Sequence, residues 1–141
     1  TFNYGLILAW ISIKNDISLT PVIFYLGAIF WTLGYDTIYG LQDIRDDEII
    51  GTKSTAIKFK DNIKIFVSAC YCLFVFFILI LFFMMEINKI NLILAILFIL
   101  SLVYQIKIFN RTEPESCLKA FKNNNLVGFF VFMFILSFTI L

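Results

Sequence analysis

Between Tyr35 and Thr55 the chain reads YDTIYGLQDIRDDEIIGTKST. The stretch begins inside an apolar run and ends among polar residues. It holds Asp36, Asp43, Asp46 and Asp47, with Glu48 directly after. On one continuous helix, at about 100° per residue, Asp36, Asp43 and Asp47 fall within roughly 40° of one another around the axis. Tyr39 and Gly40 lie near the same face. Three carboxylates on one stripe repel each other as anions, so an isolated helix gains nothing from them. A divalent cation with oxygen ligands removes that repulsion. Mg²⁺ in particular is usually held by one or two carboxylates together with substrate phosphates. The residues that follow, Arg45 and Lys53, suit phosphate oxygens. Gly51 loosens the backbone just before Lys53-Ser54. Carboxylates, bases and small residues together read as a diphosphate site bridged by Mg²⁺.

The flanks of this stretch are built for lipid. Of 141 residues, 61% are hydrophobic and only 15% are charged, more apolar surface than a water-soluble domain of this size can hide. Phe66 to Met85, Leu92 to Gln105 and Asn125 to Leu141 carry no charge at all. Runs of about 18 to 20 apolar residues cross a hydrocarbon core of about 30 Å. The expected fold is an all-α integral membrane protein of about five transmembrane helices. The apolar stretch Phe2 to Ile13 is too short to span, and is expected to be the tail of a truncated first helix. Residues 1–141 are thus expected to be the carboxyl-terminal part of a longer transmembrane domain. The apolar run that leads into the acidic stretch could house a lipid tail beside it.

The helices are expected over about Pro21 to at least Gln42, Ile63 to Met85, Leu92 to Phe109 and Leu126 to Leu141. Thr20-Pro21 reads as an N-cap followed by proline at the first helical position, and Asp61-Asn62 as another cap. A short helix is expected around Thr55 to Phe59, and a tight polar turn over Glu86 to Asn91. Thr112-Glu113-Pro114-Glu115 has the spacing of a capping box, with Leu118 and Phe121 sharing one face of a short interfacial helix. Gly27 and Gly34 allow close helix neighbours.

Charge sets the expected orientation. Arg45, Lys53, Lys58, Lys60, Lys64, Lys107, Arg111, Lys119 and Lys122 fall on one side, and Lys14 and Lys89 on the other. This bias directs the acidic loop to the cytoplasm, or to the matrix of a mitochondrion. The net charge of +1 gives no case for nucleic-acid binding. There is no histidine, which removes histidine catalysis and most zinc chemistry. Cys70, Cys72 and Cys117 lack metal or redox spacing and read as small hydrophobes. Phe24, Phe66, Phe74, Phe76 and Phe77 could face a carbocation, but read first as packing groups. Asp36 and Asp43 on an ion path, in a transporter or channel, are the competing reading. No broken helix or half-helix repeat favours it.

The phrase Tyr35-Asp36-Thr37-Ile38-Tyr39, then Asp43, Asp47, Gly51 and Lys53-Ser54-Thr55-Ala56, resembles the second aspartate-rich motif of the UbiA superfamily of intramembrane prenyltransferases. The wording is that of the 4-hydroxybenzoate polyprenyltransferase branch rather than the menaquinone or haem O branches. Cys117-Leu118-Lys119-Ala120-Phe121 with Asn124-Asn125 and Gly128 is similar to that branch's late-loop pattern. The resemblance implies a helical membrane bundle around a central cavity, here a partial one. It implies two aspartate-rich motifs that bind Mg²⁺ and a polyprenyl diphosphate, whose prenyl group passes to the ring of 4-hydroxybenzoate in ubiquinone synthesis. By position, Asp43 and Asp47 are the implied metal pair, and Asp36 and Tyr39 shape the pocket. Arg45, Lys53 and Ser54 are the implied diphosphate contacts, with Lys53 also counted among the catalytic groups. An inner membrane of a bacterium or mitochondrion is the implied location. Gly40 stands where the family usually has alanine. The first aspartate motif is absent, which implies that the chain needs an amino-terminal half to act.

Overall fold

The computed structural model describes residues 3–16, 18–84 and 89–140. Every long element is helical, as it must be where lipid offers backbone groups no partner. The order is α1 (Tyr4–Lys14), α2 (Leu19–Gly40), α3 (Ile44–Ile50), α4 (Thr55–Lys58), α5 (Ile63–Met84), α6 (Lys89–Ile108), α7 (Pro114–Lys122) and α8 (Asn124–Ile140). One 3₁₀ turn, Lys60–Asn62, leads into α5. Four segments are long and apolar enough to cross a membrane: Leu19–Gly40, Lys60–Met84, Lys89–Ile108 and Pro114–Ser137. α1 is apolar but shorter. The helical membrane fold expected from the runs is therefore present.

α2 packs along α5, and α6 along α8. On α5 the buried residues Ile63, Val67, Tyr71, Phe74, Ile78 and Leu81 form one stripe at helical spacing. Glycines on α2 bring that pair close. A Cβ on Gly27 would lie 3.1 Å from Phe77 Cβ, and one on Gly34 would overlap the Tyr71 ring. Aromatic rings join the two pairs: Trp31 stacks on Phe74 at 5.3 Å, Phe74 meets Phe98 at 6.0 Å, and Phe98 meets Phe134 at 6.0 Å. Each such pair contributes roughly 0.5–1.5 kcal/mol beyond its buried area. Buried polar groups pair between helices. Tyr71 donates to Gln105, and Asn91 donates to Ser137.

Several boundaries differ from the sequence-based expectation. α2 starts at Leu19 after Ser18, so Pro21 is the third helical residue rather than the first. It still falls in the first turn, where its missing N–H costs nothing. Asp61-Asn62 belongs to the 3₁₀ turn and not to a cap. α6 begins at Lys89, so residues 89–91 of the expected polar turn are helical, while residues 86–88 of it lie outside the described residues. Its polar start is paid for by Asn91, whose side chain finds Ser137 across the bundle. The expected capping box is not made. Glu113 is the N-cap of α7 without a side-chain bond, while Asn110 Oδ1 takes the Thr112 amide and Ser116 Oγ takes the Asn110 amide. α7 is separated from α8 only by Asn123, which has helical angles. The end expected for the last helix, Leu141, lies outside the described residues.

Candidate active site

α2 does not run through the acidic stretch. It stops at Gly40. The Leu41 amide reaches back to Ile38 O at 3.3 Å and the Gln42 amide to Tyr39 O at 3.1 Å, the tightened bonds of a closing helix. Leu41, 1% exposed, is drawn into the core. Asp43 then becomes the N-cap of α3, with Asp46 and Asp47 in the first turn, where the helix dipole favours anions. The continuous three-carboxylate stripe is thus replaced by Asp36 on one helix and Asp43 and Asp47 on the next. Among the described residues, no three carboxylate or cysteine side chains come together as a set able to hold a metal ion. Asp43 and Asp47 remain one turn apart, joined by the Asp47 amide bond to Asp43 O at 2.9 Å.

The chain then folds back on α2. Gly51 takes φ +79°, the left-handed region that glycine enters without a Cβ clash. Its amide and that of Thr52 both reach Asp47 O, as in a Schellman turn. Gly51 is therefore a fixed helix stop and not a loose joint. Ser54 Oγ caps α4 by accepting from the Ile57 amide at 3.3 Å. Thr55 and Thr37 share a hydroxyl hydrogen bond at 2.7 Å. Buried Ala56 sits under Gly40, 3.4 Å from where a Cβ would be. The Lys53-Ser54-Thr55-Ala56 phrase thus fastens the loop to α2. Ser54 was expected on a diphosphate, and here its hydroxyl serves the α4 cap.

Asp36, Tyr39, Asp43, Arg45 and Lys53 are exposed, and Asp47 is half-buried. None of the three carboxylates forms an ion pair among the described residues, and neither do Arg45 and Lys53. Four nearby cations are engaged: Lys60 pairs with Glu48 at 2.7 Å, Arg111 bonds Lys60 O, and Lys58 and Lys64 lie over the Phe59 and Phe109 rings. Gln42 Nε2, in the turn between Asp36 and Asp43, is buried with no partner. Two unpaired carboxylates one turn apart, with free bases beside them, fit a hard cation carrying phosphate ligands.

Sequence reasoning missed an aromatic wall beside these groups. Phe121 of α7 meets Tyr39 at 4.7 Å and Tyr35 at 6.0 Å, and Tyr35 meets Trp31 edge-on at 5.9 Å. Trp31 Nε1 donates to Asn124 Oδ1 at 2.8 Å, and its ring lies against Gly128. Phe121, Asn124 and Gly128 thus all face α2, and the partner of Asn124 lies 93 positions upstream. Phe66, Phe74 and Phe77, by contrast, stack on Phe59, Trp31 and Phe30 as packing groups.

Four spans and a loop end carrying unpaired acids and bases define a membrane-embedded helical protein with a polar site at one end of its bundle. The sequence profile of the UbiA prenyltransferase family matches residues 1–138, and the chain belongs to that family. It is 36% identical over 133 residues to the 4-hydroxybenzoate octaprenyltransferase of Psychromonas ingrahamii, covering 93% of this chain and 46% of that protein. It is 30% identical over 132 residues to the enzyme of the same name from Francisella tularensis subsp. novicida, covering 94% and 46%. The mitochondrial 4-hydroxybenzoate polyprenyltransferase of Arabidopsis thaliana is 45% identical over 69 residues, 48% of this chain and 17% of that protein. The chain thus spans about half the length of the bacterial relatives. No solved structure matches it significantly.

Proposed function

We propose that this chain is the carboxyl-terminal half of a 4-hydroxybenzoate polyprenyltransferase, acting in ubiquinone synthesis in a bacterial or mitochondrial inner membrane. The carrying observation is the set of unpaired groups at one end of the bundle, Asp36, Asp43, Asp47, Arg45 and Lys53. The names of the relatives supply the substrate class. The face of α2 bearing Leu26, Ile29, Asp36 and Tyr39 is left open by the described elements, and the amino-terminal helices of the whole protein would cover it. The basic bias of the loops supports a cytoplasmic or matrix location for this end.

Arg45 and Lys53 bind the oxygens of the polyprenyl diphosphate and hold its head at the membrane surface. Asp43 and Asp47 would hold Mg²⁺, which when bound neutralises charge on the departing diphosphate. As the allylic carbon becomes cationic, the faces of Tyr39, Tyr35 and Phe121 stabilise it. Asp36, one turn before Tyr39, fixes the acidic rim of the pocket. The electron-rich ring of 4-hydroxybenzoate then attacks beside its hydroxyl, and a ring proton leaves.

The test is prenyl transfer by membranes containing the full-length protein, supplied with a polyprenyl diphosphate and 4-hydroxybenzoate. Prenylated hydroxybenzoate is the expected product. Arg45→Gln and Lys53→Gln each remove a charge-assisted contact, and each should lower kcat/KM about 10- to 100-fold. Transfer to a different aromatic acceptor only, or unchanged kinetics in both variants, would overturn the assignment.

A further inference from the structure

On the far side of α7 from the aromatic wall lies an open cavity of about 570 Å³ between α6, α7 and α8. Lys119, Lys122 and Asn125 line its rim, and Tyr104, Leu126 and Phe129 its walls. Asn123 closes one edge, held by its own bonds to Ser101 O at 3.2 Å and Ser101 Oγ at 3.0 Å. Lys119, Lys122, Leu126 and Phe129 recur at spacings of three, four and three, one stripe of a helix that continues through Asn123. The opposite stripe carries Cys117, Ala120 and Phe121, which face the core and α2. The groove is therefore separate from the proposed prenyl-transfer site.

The outer stripe changes character along its length. Its first turn is cationic, and neither lysine has an acidic partner among the described residues. Its second part is apolar and exposed: Leu126 is 46% and Phe129 52% exposed, opposite Tyr104 on α6. The change falls where α6 ends and α8 begins, and cations followed by apolar residues are the pattern of a span end that leaves hydrocarbon for headgroups. A cation pair above a two-walled apolar groove suits an amphiphile with an anionic head, and its separation from the acidic loop favours a phospholipid. Basic pockets between spanning helices at the membrane surface bind such headgroups.

We propose that this groove is a binding site for an anionic phospholipid. The phosphate rests on Lys119 and Lys122, Asn125 and the Tyr104 hydroxyl contact the head, and an acyl chain lies along Leu126 and Phe129. The site is independent of the catalytic assignment, and either can fail without the other.

The protein, extracted from its membrane in mild detergent, is titrated with phosphatidylglycerol or phosphatidylcholine, and retained lipid is read by native mass spectrometry. Retention of phosphatidylglycerol over phosphatidylcholine is expected. Lys119→Gln/Lys122→Gln should weaken phosphatidylglycerol retention about 30-fold. Lys119→Arg/Lys122→Arg should keep it, and Lys58→Gln/Lys64→Gln, which removes the same charge elsewhere at this end, should leave it unchanged. Equal retention of both lipids by the wild type overturns the proposal. So does equal loss in the two glutamine pairs, which would mean net charge alone. Displacement of the lipid by stoichiometric farnesyl diphosphate would also overturn it, by making the groove part of the substrate path.

Discussion

Replacing Gly34 by alanine should loosen the α2–α5 pair on which the acidic loop stands. The added Cβ would overlap Tyr71 Cε1 and lie 2.8 Å from Cδ1. Real carbon contacts are near 3.5–4.0 Å, so one group must move by about an ångström. Tyr71 has little room to do so. It is 2% exposed, and its hydroxyl is anchored on Gln105 of α6. If the ring stays, α2 backs away from α5. If it swings, the Tyr71–Gln105 bond is lost as well. Overpacking of this kind costs about 1–3 kcal/mol, and an interhelical hydrogen bond in a membrane adds about 0.6 kcal/mol. A total of about 2–3 kcal/mol is expected for Gly34→Ala. Reversible unfolding in mixed micelles measures it. Gly5→Ala, whose Cβ meets nothing within 4 Å, is the control. Gly34→Ala combined with Tyr71→Leu should recover part of the loss, giving a favourable coupling of about 1 kcal/mol. A neutral Gly34→Ala, or strict additivity with Tyr71→Leu, would refute the packing described for this pair.

Two further outcomes follow from the site. Gly51→Ala places a Cβ in the left-handed region and should cost about 1 kcal/mol, with faster amide exchange over α3; Gly51→Asn should cost less, because asparagine tolerates that region. Trp31→Phe keeps a ring against Phe74 but leaves Asn124 Oδ1 unpaired; a loss of about 1 kcal/mol is expected by unfolding, and Trp31→Phe/Asn124→Leu should lose less than the sum of the two single changes.

The spans were legible because lipid demands long uncharged runs, and Phe66 to Met85 or Leu92 to Gln105 admit no other reading. The break after Gly40 was not extrapolated, because the spacing of Asp36, Asp43 and Asp47 fits a continuous helix well. Its local signals were present. An aspartate at Asp43 followed by two acids in the next turn marks a helix start, and Gly51 marks a helix end. Those signals were outweighed by a periodicity that holds only if the backbone does not turn. The start of α6 at Lys89 could not be read locally, since the partner of Asn91 is Ser137, 46 residues away. The aromatic wall was hidden for the same reason: Phe121 meets Tyr35 and Tyr39 only through the fold. The candidate acids and bases themselves were chosen by residue type; Asp43 caps α3, Arg45 and Asp47 lie on it, and Lys53 follows it.

The assignment rests most heavily on Asp43 and Asp47. The direct measurement is binding of a non-reactive polyprenyl diphosphate analogue to the full-length protein in micelles, with and without Mg²⁺. Wild-type affinity should rise at least tenfold with Mg²⁺, and that rise should vanish in Asp43→Asn and Asp47→Asn while both variants stay folded. An affinity indifferent to Mg²⁺, or a rise of the same size in both variants, would contradict the account.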